Sequence, residues 1–259
     1  MKILVLMKMV PDIVEELEVA ADGKSLDLEA SRPIVSESDD HALEQALLLK
    51  DRLGGSVVAL GVESRDLDDV LFTALAKGSD RAVKVEGVEP PVTTAEVAAL
   101  LAAVLPTVPG LMPVDLVVTG CQAIDDLDGL VAPFLAEALG IPYVGVVTGV
   151  EAKAGEGRVT VLKEYAGGVR ARYGVTLPAV LGIQAAEKPP RYVPVAKVRA
   201  TMKSGKIETV AAPARSWSPA LEVLRMTKPE AAGQAEMLEG DPEAVASKVA
   251  EILSARGLL

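Results

Sequence analysis

The feature that most constrains this chain is an alternation. Apolar runs suited to buried parallel strands recur at residues 2–8, 56–61, 81–85, 114–119, 141–147 and 179–183. Between them, residues 39–53, 66–76, 94–105 and 130–139 read as helices. In the first of these, Ala42, Leu43, Ala46, Leu47, Leu49 and Leu53 keep helical spacing, and Gly54-Gly55 stops the helix. Repeated strand–helix units predict an α/β fold, a doubly wound, mostly parallel sheet. Such sheets take ligands past the carboxyl ends of their strands, near a switch in strand order.

The pattern changes after Val150. Residues 159–163 and 169–173 alternate around Gly167-Gly168, which predicts an antiparallel edge β-hairpin. A smaller hairpin signal is centred on Asp22-Gly23, and Thr93 or Thr94 caps the helix at 94–105. From Gln184 the chain carries Pro189, Pro190, Pro194, Pro213, Pro219 and Pro229 with little apolar periodicity. This predicts a recognition segment and then an extended C-terminal arm, held against another chain rather than folded alone. The arm ends in a helix. Asp241 caps it, Pro242 takes its first position, Gly257 closes it, and Val245, Val249 and Ile252 form its apolar stripe. The natural division is 1–184, an α/β domain, and 185–259, the segment and arm.

Charge and composition remove several function classes. A net charge of −11 is wrong for a nucleic-acid surface, which needs clustered cations. With one cysteine (Cys121) and one histidine (His41), the chain has no internal disulfide and no Cys/His zinc set, and it suits a reducing cytoplasm. The opening MKILVLMK is too short for a signal peptide. The apolar stretch 97–114 contains Pro106, Pro109 and Pro113, so it reads as a buried helix and a connection rather than a membrane insertion. Asparagine is absent and glutamine occurs four times, a scarcity that fits a thermophile.

The best candidate for chemistry is the loop from Gly120 to Gly129. It joins a buried strand to a helix, whose first turn offers N–H groups and a partial positive charge. The bland reading is a plain connection, and the two stay open at this level. Asp125, Asp126 and Asp128 would repel a phosphate unless they point elsewhere. Cys121 reads as a small buried filler and His41 as an exposed surface residue. No acyl-transfer triad, GxGxxG fingerprint or Walker A loop is present.

Six stretches, in order and across essentially the whole chain, resemble the beta subunit family of electron transfer flavoproteins. They are Lys8-Met-Val-Pro-Asp12; Ala42-Leu-Glu-Gln-Ala46 with Leu49-Lys-Asp51; Thr73-Ala-Leu-Ala-Lys-Gly-Ser-Asp-Arg81; Gly120-Cys-Gln-Ala-Ile-Asp-Asp126; Val161-Leu-Lys-Glu-Tyr-Ala-Gly-Gly168 with Leu177-Pro-Ala-Val180; and Pro190-Arg-Tyr192 with Lys197 and Met202-Lys203. The chain departs from the pattern at Cys121, where a basic residue is common, and at Asp128-Gly129-Leu130, where small polar residues and Gln are usual.

The resemblance implies a domain that holds AMP structurally and helps enclose an FAD bound mainly by a larger alpha subunit. The heterodimer would take electrons from dehydrogenases such as acyl-CoA dehydrogenases, as in fatty acid beta-oxidation. It would pass them to a membrane quinone reductase. By position, the AMP site would involve Met7, Lys8, Val62, Gly120, Cys121, Gln122, Ala123, Ile124, Asp125, Asp126, Gly129, Leu130 and Val131, with Ser36 to Asp39 beside it. Ile13 would lie near the flavin ring. Ala185, Ala186, Lys188, Pro189, Arg191 and Tyr192 would form a mobile partner-binding segment, its apolar residues meeting a pocket and its cations steering an acidic rim. The competing readings are a stand-alone adenine-nucleotide-binding protein of the same fold and a purely structural subunit.

Overall fold

The computed structural model describes residues 1–28, 31–88, 93–126, 128–214, 222–229, 233 and 235–259. The first strand, β1 (Lys2–Met7), is followed by two short strands, β2 (Met9–Pro11) and β3 (Pro33–Val35), which pair antiparallel as a small separate sheet. Then α1 (Glu37–Leu53), β4 (Ser56–Val62), α2 (Leu67–Lys77), β5 (Arg81–Glu86), α3 (Thr94–Val104), β6 (Leu116–Gly120) and α4 (Val131–Leu139) alternate. The edge hairpin is built by β7 (Tyr143–Ala152), β8 (Arg158–Glu164) and β9 (Arg170–Thr176), and β10 (Ala179–Ile183) returns to the interior. The chain continues through α5 (Val195–Ser204), β11 (Ile207–Ala211) and α6 (Pro242–Ala255).

The main sheet has the order β11-β5-β4-β1-β6-β10-β7-β8-β9. Every neighbouring pair from β11 to β7 is parallel; β7–β8 and β8–β9 are antiparallel. The alternating side chains of β1 separate two cores. Ile3, Val5 and Met7 pack with Leu43 and Leu47 of α1 and Leu71 of α2. Leu4 and Leu6 pack on the other face with Leu100, Leu101 and Val104 of α3 and Leu135 of α4. A strand covered on both faces must be apolar throughout, which is why its sequence shows no alternation. Gly55 after α1 could not be another residue without strain. Its φ is +108°, and a Cβ there would lie 1.9 Å from the Met1 carbonyl oxygen.

The caps lie where the sequence places them. Thr93 closes a capping box with Glu96 at the start of α3. The Asp241 carboxylate accepts from the Ala244 N–H, with Pro242 in the first turn of α6. The Asp22-Gly23 hairpin survives as one bridge, Val19 to Leu26. None of the described helices is long and apolar enough to cross a membrane.

Two features differ from the sequence reading. The sheet does not end at residue 184, because β11 adds parallel to β5, and Arg81 of β5 bonds Glu208 of β11 at 2.7–2.8 Å. His41 is half-buried rather than exposed. Between Ala211 and Pro242 the described residues form no helix or strand. They touch the Asp22-Gly23 hairpin, where the Met226 N–H donates to the Gly23 carbonyl and Lys24 pairs with Glu222. The apolar stripe of α6 leaves Val249 and Ile252 each 41% exposed.

Candidate functional site

The strand order switches at β1, where the chain builds outward to β4 and β5 on one side and to β6 and β10 on the other. The crevice expected at such a point is lined by the residues after β1, the loop after β6 and the start of α1. One carboxylate ties these together. Asp39, in the first turn of α1, accepts from the Lys8 N–H at 2.9 Å and from the Gly120 N–H at 2.8 Å. It is 7% exposed. Burial pushes its pKa up to about 7, because the two N–H donors and the Lys8 charge offset the lost hydration only in part.

The approach of α1 to this loop is close. A Cβ on Gly120 would lie 2.1 Å from Ser38 Oγ and 2.6 Å from Asp39 Oδ1. Ser38 Oγ donates to the Gln122 carbonyl at 3.0 Å, and the Ser36 N–H donates to the Lys8 carbonyl at 2.9 Å. The loop then folds on itself. The Asp126 N–H donates to the Ala123 carbonyl, and Gln122 Nε2 donates to the Asp126 carbonyl. At Gly129 φ is +64°, and a Cβ would press on the Gln122 side chain.

The three loop carboxylates divide into two roles. Asp125 and Asp126 hold the Lys8 ammonium at 2.7 and 2.6 Å. Burial works against that cation, but these hydrogen bonds and charges outweigh it and raise the Lys8 pKa. Asp128 turns away to α3. Its oxygens accept from Thr94 Oγ1 at 2.7 and 2.9 Å, and from the Leu130 N–H at 3.2 Å. Thr94, the second candidate cap in the sequence, therefore anchors the loop instead. The N-caps of α1 and α4, Ser36 and Leu130, make no side-chain capping bond.

The structure brings Met7, Lys8, Gly120, Cys121, Gln122, Ala123, Asp125 and Asp126 to this crevice, with Val62 at the carboxyl end of the adjacent β4. Cys121 is half-buried and hydrogen-bonded: its thiol donates to Gln184 Oε1 at 2.9 Å. Burial raises its pKa. Ile124 and Leu130 are exposed, Val131 is half-buried, and Ile13 stands 61% exposed on the loop after β2. Among the described residues no cluster of His, Cys, Asp and Glu is placed to hold a metal.

The segment 184–192 lies along α1. His41 Nδ1 accepts from the Ala186 N–H at 3.2 Å. Arg191 pairs with Glu44 at 2.9 Å and with Asp51 at 2.9 Å, so its charge is engaged within the chain. Ala185 and Ala186 are half-buried, Lys188 and Pro189 are exposed, and Tyr192 is 83% exposed.

Sequence reasoning quoted Glu44 and Gln45 only inside the stretch Ala42-Leu-Glu-Gln-Ala46 and gave them no role, though they are 4% and 1% exposed. It named Asp39 only as a neighbour of the site. The available signal was an acid directly before an apolar helical run, which a helix N-terminus explains equally well.

Comparison with known proteins agrees with this geometry. Residues 26–215 match the electron transfer flavoprotein domain. The chain is 32% identical over 252 residues to the electron transfer flavoprotein subunit beta of Syntrophomonas wolfei, covering 97% of this chain and 95% of that one. Subunits of the same name from Methylophilus methylotrophus and Bacillus subtilis are 29% and 27% identical, with coverage of 97% or more on both sides. Similarity that runs the length of both chains and spans the switch-point crevice places it: the chain belongs to the electron transfer flavoprotein family, among its beta subunits.

Proposed function

We propose that the chain is the smaller half of a heterodimeric, cytoplasmic electron carrier that holds AMP structurally in the switch-point crevice. It encloses an FAD bound mainly by the alpha subunit. The heterodimer takes electrons from dehydrogenases such as acyl-CoA dehydrogenases and delivers them to a membrane quinone reductase. The chain is a carrier and not a stand-alone catalyst.

The observation that carries the AMP reading is the start of α1, which lies against Gly120 without a side-chain cap, with the start of α4, also uncapped, at the far end of the same loop. Uncapped N–H groups and the helix dipole suit a phosphate ester. Asp128 is turned to Thr94, and Asp125 and Asp126 are turned to Lys8. Lys8 brings a cation to the crevice, held there by Asp125 and Asp126, and Gly120 lets the start of α1 close on the loop. When bound, FAD supplies the redox chemistry. The chain's part is an apolar cover, for which Ile13 and Val14, 61% and 91% exposed, are placed after β2.

Pairing is supported by α6 and by the described residues between 212 and 240, which bury little against their own domain. Co-expression with the alpha subunit encoded by the same source should give a yellow heterodimer. Heat denaturation should release AMP in near-equal molar amount. AMP saturated a thousandfold above its Kd would stabilise the fold by about 4 kcal/mol. A colourless monomer that binds adenine nucleotide would favour the stand-alone reading. A yellow heterodimer that releases no nucleotide would remove AMP from the proposal and leave the carrier.

A further inference from the structure

The segment 184–192 contains two adjacent prolines and belongs to no helix or strand, yet its backbone is fixed. The Gln184 and Ala185 N–H groups donate to the Val147 carbonyl at 2.8 and 3.4 Å. The next donors all go to side chains of α1: Ala186 to His41, Glu187 to Gln45 Oε1 at 3.1 Å and Arg191 to Glu44 Oε2 at 2.9 Å. Side chains answer in the reverse direction. Gln45 Nε2 donates to Glu187 at 3.0 Å, and Arg52 donates to the same carboxylate at 3.0 and 3.1 Å. Burial alone would raise the Glu187 pKa; the bonds from Arg52 and Gln45 outweigh it and lower it.

These α1 positions, Glu44, Gln45 and Arg52, lie three, four and eleven residues from His41. That spacing places them on one stripe of a helix. The stripe is continuous with the face whose Leu43 and Leu47 are locked in the core, so the segment is referenced to the rigid sheet. Of the residues it positions, Tyr192 and Pro189 face outward while the Arg191 guanidinium faces inward.

We infer that the polar stripe of α1, centred on Glu44 and Gln45, is a positioning device that presents segment 184–192 to the electron-donating dehydrogenase in a preformed shape. This rests on the proposed carrier function. A docking element that is already ordered loses little conformational entropy on binding, which speeds and tightens a transient encounter. Glu44 and Gln45 act through the segment and touch no partner, so the device sets encounter and not the electron-transfer step.

The test is amide hydrogen exchange on the co-purified complex, paired with electron-transfer kinetics from the dehydrogenase. In the wild type, the amides of Ala186, Glu187 and Arg191 should exchange at least tenfold more slowly than free chain. Gln45→Ala should erase that protection and raise KM for the complex about three- to tenfold with kcat unchanged. Arg52→Ala removes a more exposed side chain, 43% against 1% for Gln45, so it gives a milder version of the same result if Gln45→Ala does not fold. Rapid exchange of these amides in the wild type would overturn the inference whatever the kinetics. Protection that is present and lost in both variants, with KM unmoved, would show a latched segment at which the dehydrogenase does not dock. That outcome would overturn the docking reading while leaving the latch.

Discussion

Replacing Asp39 with alanine is expected to destabilise the protein by on the order of 3 kcal/mol at pH 5, the cost of leaving two backbone donors without their acceptor. Those donors, the N–H groups of Lys8 and Gly120, belong to the two strand ends that form the crevice. Asparagine offers one acceptor oxygen for two donors, so Asp39→Asn should fall between wild type and alanine. The gap must also depend on pH with a definite sign. The carboxyl holds its proton up to about 7 in the fold and only to its ordinary value of 3.8 when unfolded. Between those values the unfolded state has released a proton that the native state keeps. Raising the pH therefore favours unfolding, by at most about 1.4 kcal/mol per unit. Below pH 4 and above pH 7 the contribution is flat. Urea denaturation of wild type and Asp39→Ala across this range should show the difference widest in acid and narrowing toward neutrality. A difference that grows from pH 4 to 7 would mean that the two N–H donors, and not burial, govern Asp39.

The second large effect is expected from the smallest change, Gly120→Ala. The added methyl would meet Ser38 Oγ at 2.1 Å and Asp39 Oδ1 at 2.6 Å. Neither is the tip of a long flexible side chain; both sit on the first turn of a helix locked into the core. The turn must retreat, and with it go the Asp39–Gly120 and Ser38–Gln122 bonds. Overpacking of this kind costs about 3 kcal/mol, which lowers Tm by roughly 6–12 °C for a chain of this size. Ser38→Ala added to Gly120→Ala should restore part of the loss. It removes the nearest atom but leaves the Asp39 oxygen and the residue 38 Cβ, 2.8 Å away. Under the proposed function the single variant also yields heterodimer with less AMP. A Tm within 2 °C of wild type would show that α1 can move away at little cost.

The parts of the fold legible in the sequence are those whose pattern has a local cause. Runs such as Leu116–Val118 are apolar because both faces are covered, and caps such as Thr93 and Asp241 act within three residues of themselves. The parts that were not legible depend on distant partners. Residues 207–211 read Ile-Glu-Thr-Val-Ala, too polar for an interior strand, and become the edge strand because β5 offers its own edge for pairing. The small sheet of β2 and β3 is hidden by Pro11 and Pro33, residues that normally argue against strand. The crevice loop was legible as a strand-to-helix connection because its glycines and its place after a buried strand are local facts. Glu44 and Gln45 were not, since their burial is set by Arg191 and Glu187, more than 140 residues away. The expectation of a mobile segment took no account of distant side chains for the same reason. Its prolines rule out regular structure, but side chains on another helix bond its backbone.

The placement of β11 has a consequence for biosynthesis. A ribosome delivers β5 more than 120 residues before the strand that will cover its outer edge. At about 5–20 residues per second, this edge stays open for on the order of ten seconds, with its N–H and C=O groups presented to any neighbouring nascent chain. What guards it in that interval is written on the strand itself. Arg81, Lys84 and Glu86 alternate with the buried Ala82, Val83 and Val85, and Lys84 already has Asp68 and Glu86 as partners. Charge on an open edge discourages pairing with another chain. Arg81 alone must wait for Glu208, so the last strand both covers the edge and neutralises one of the charges that line it.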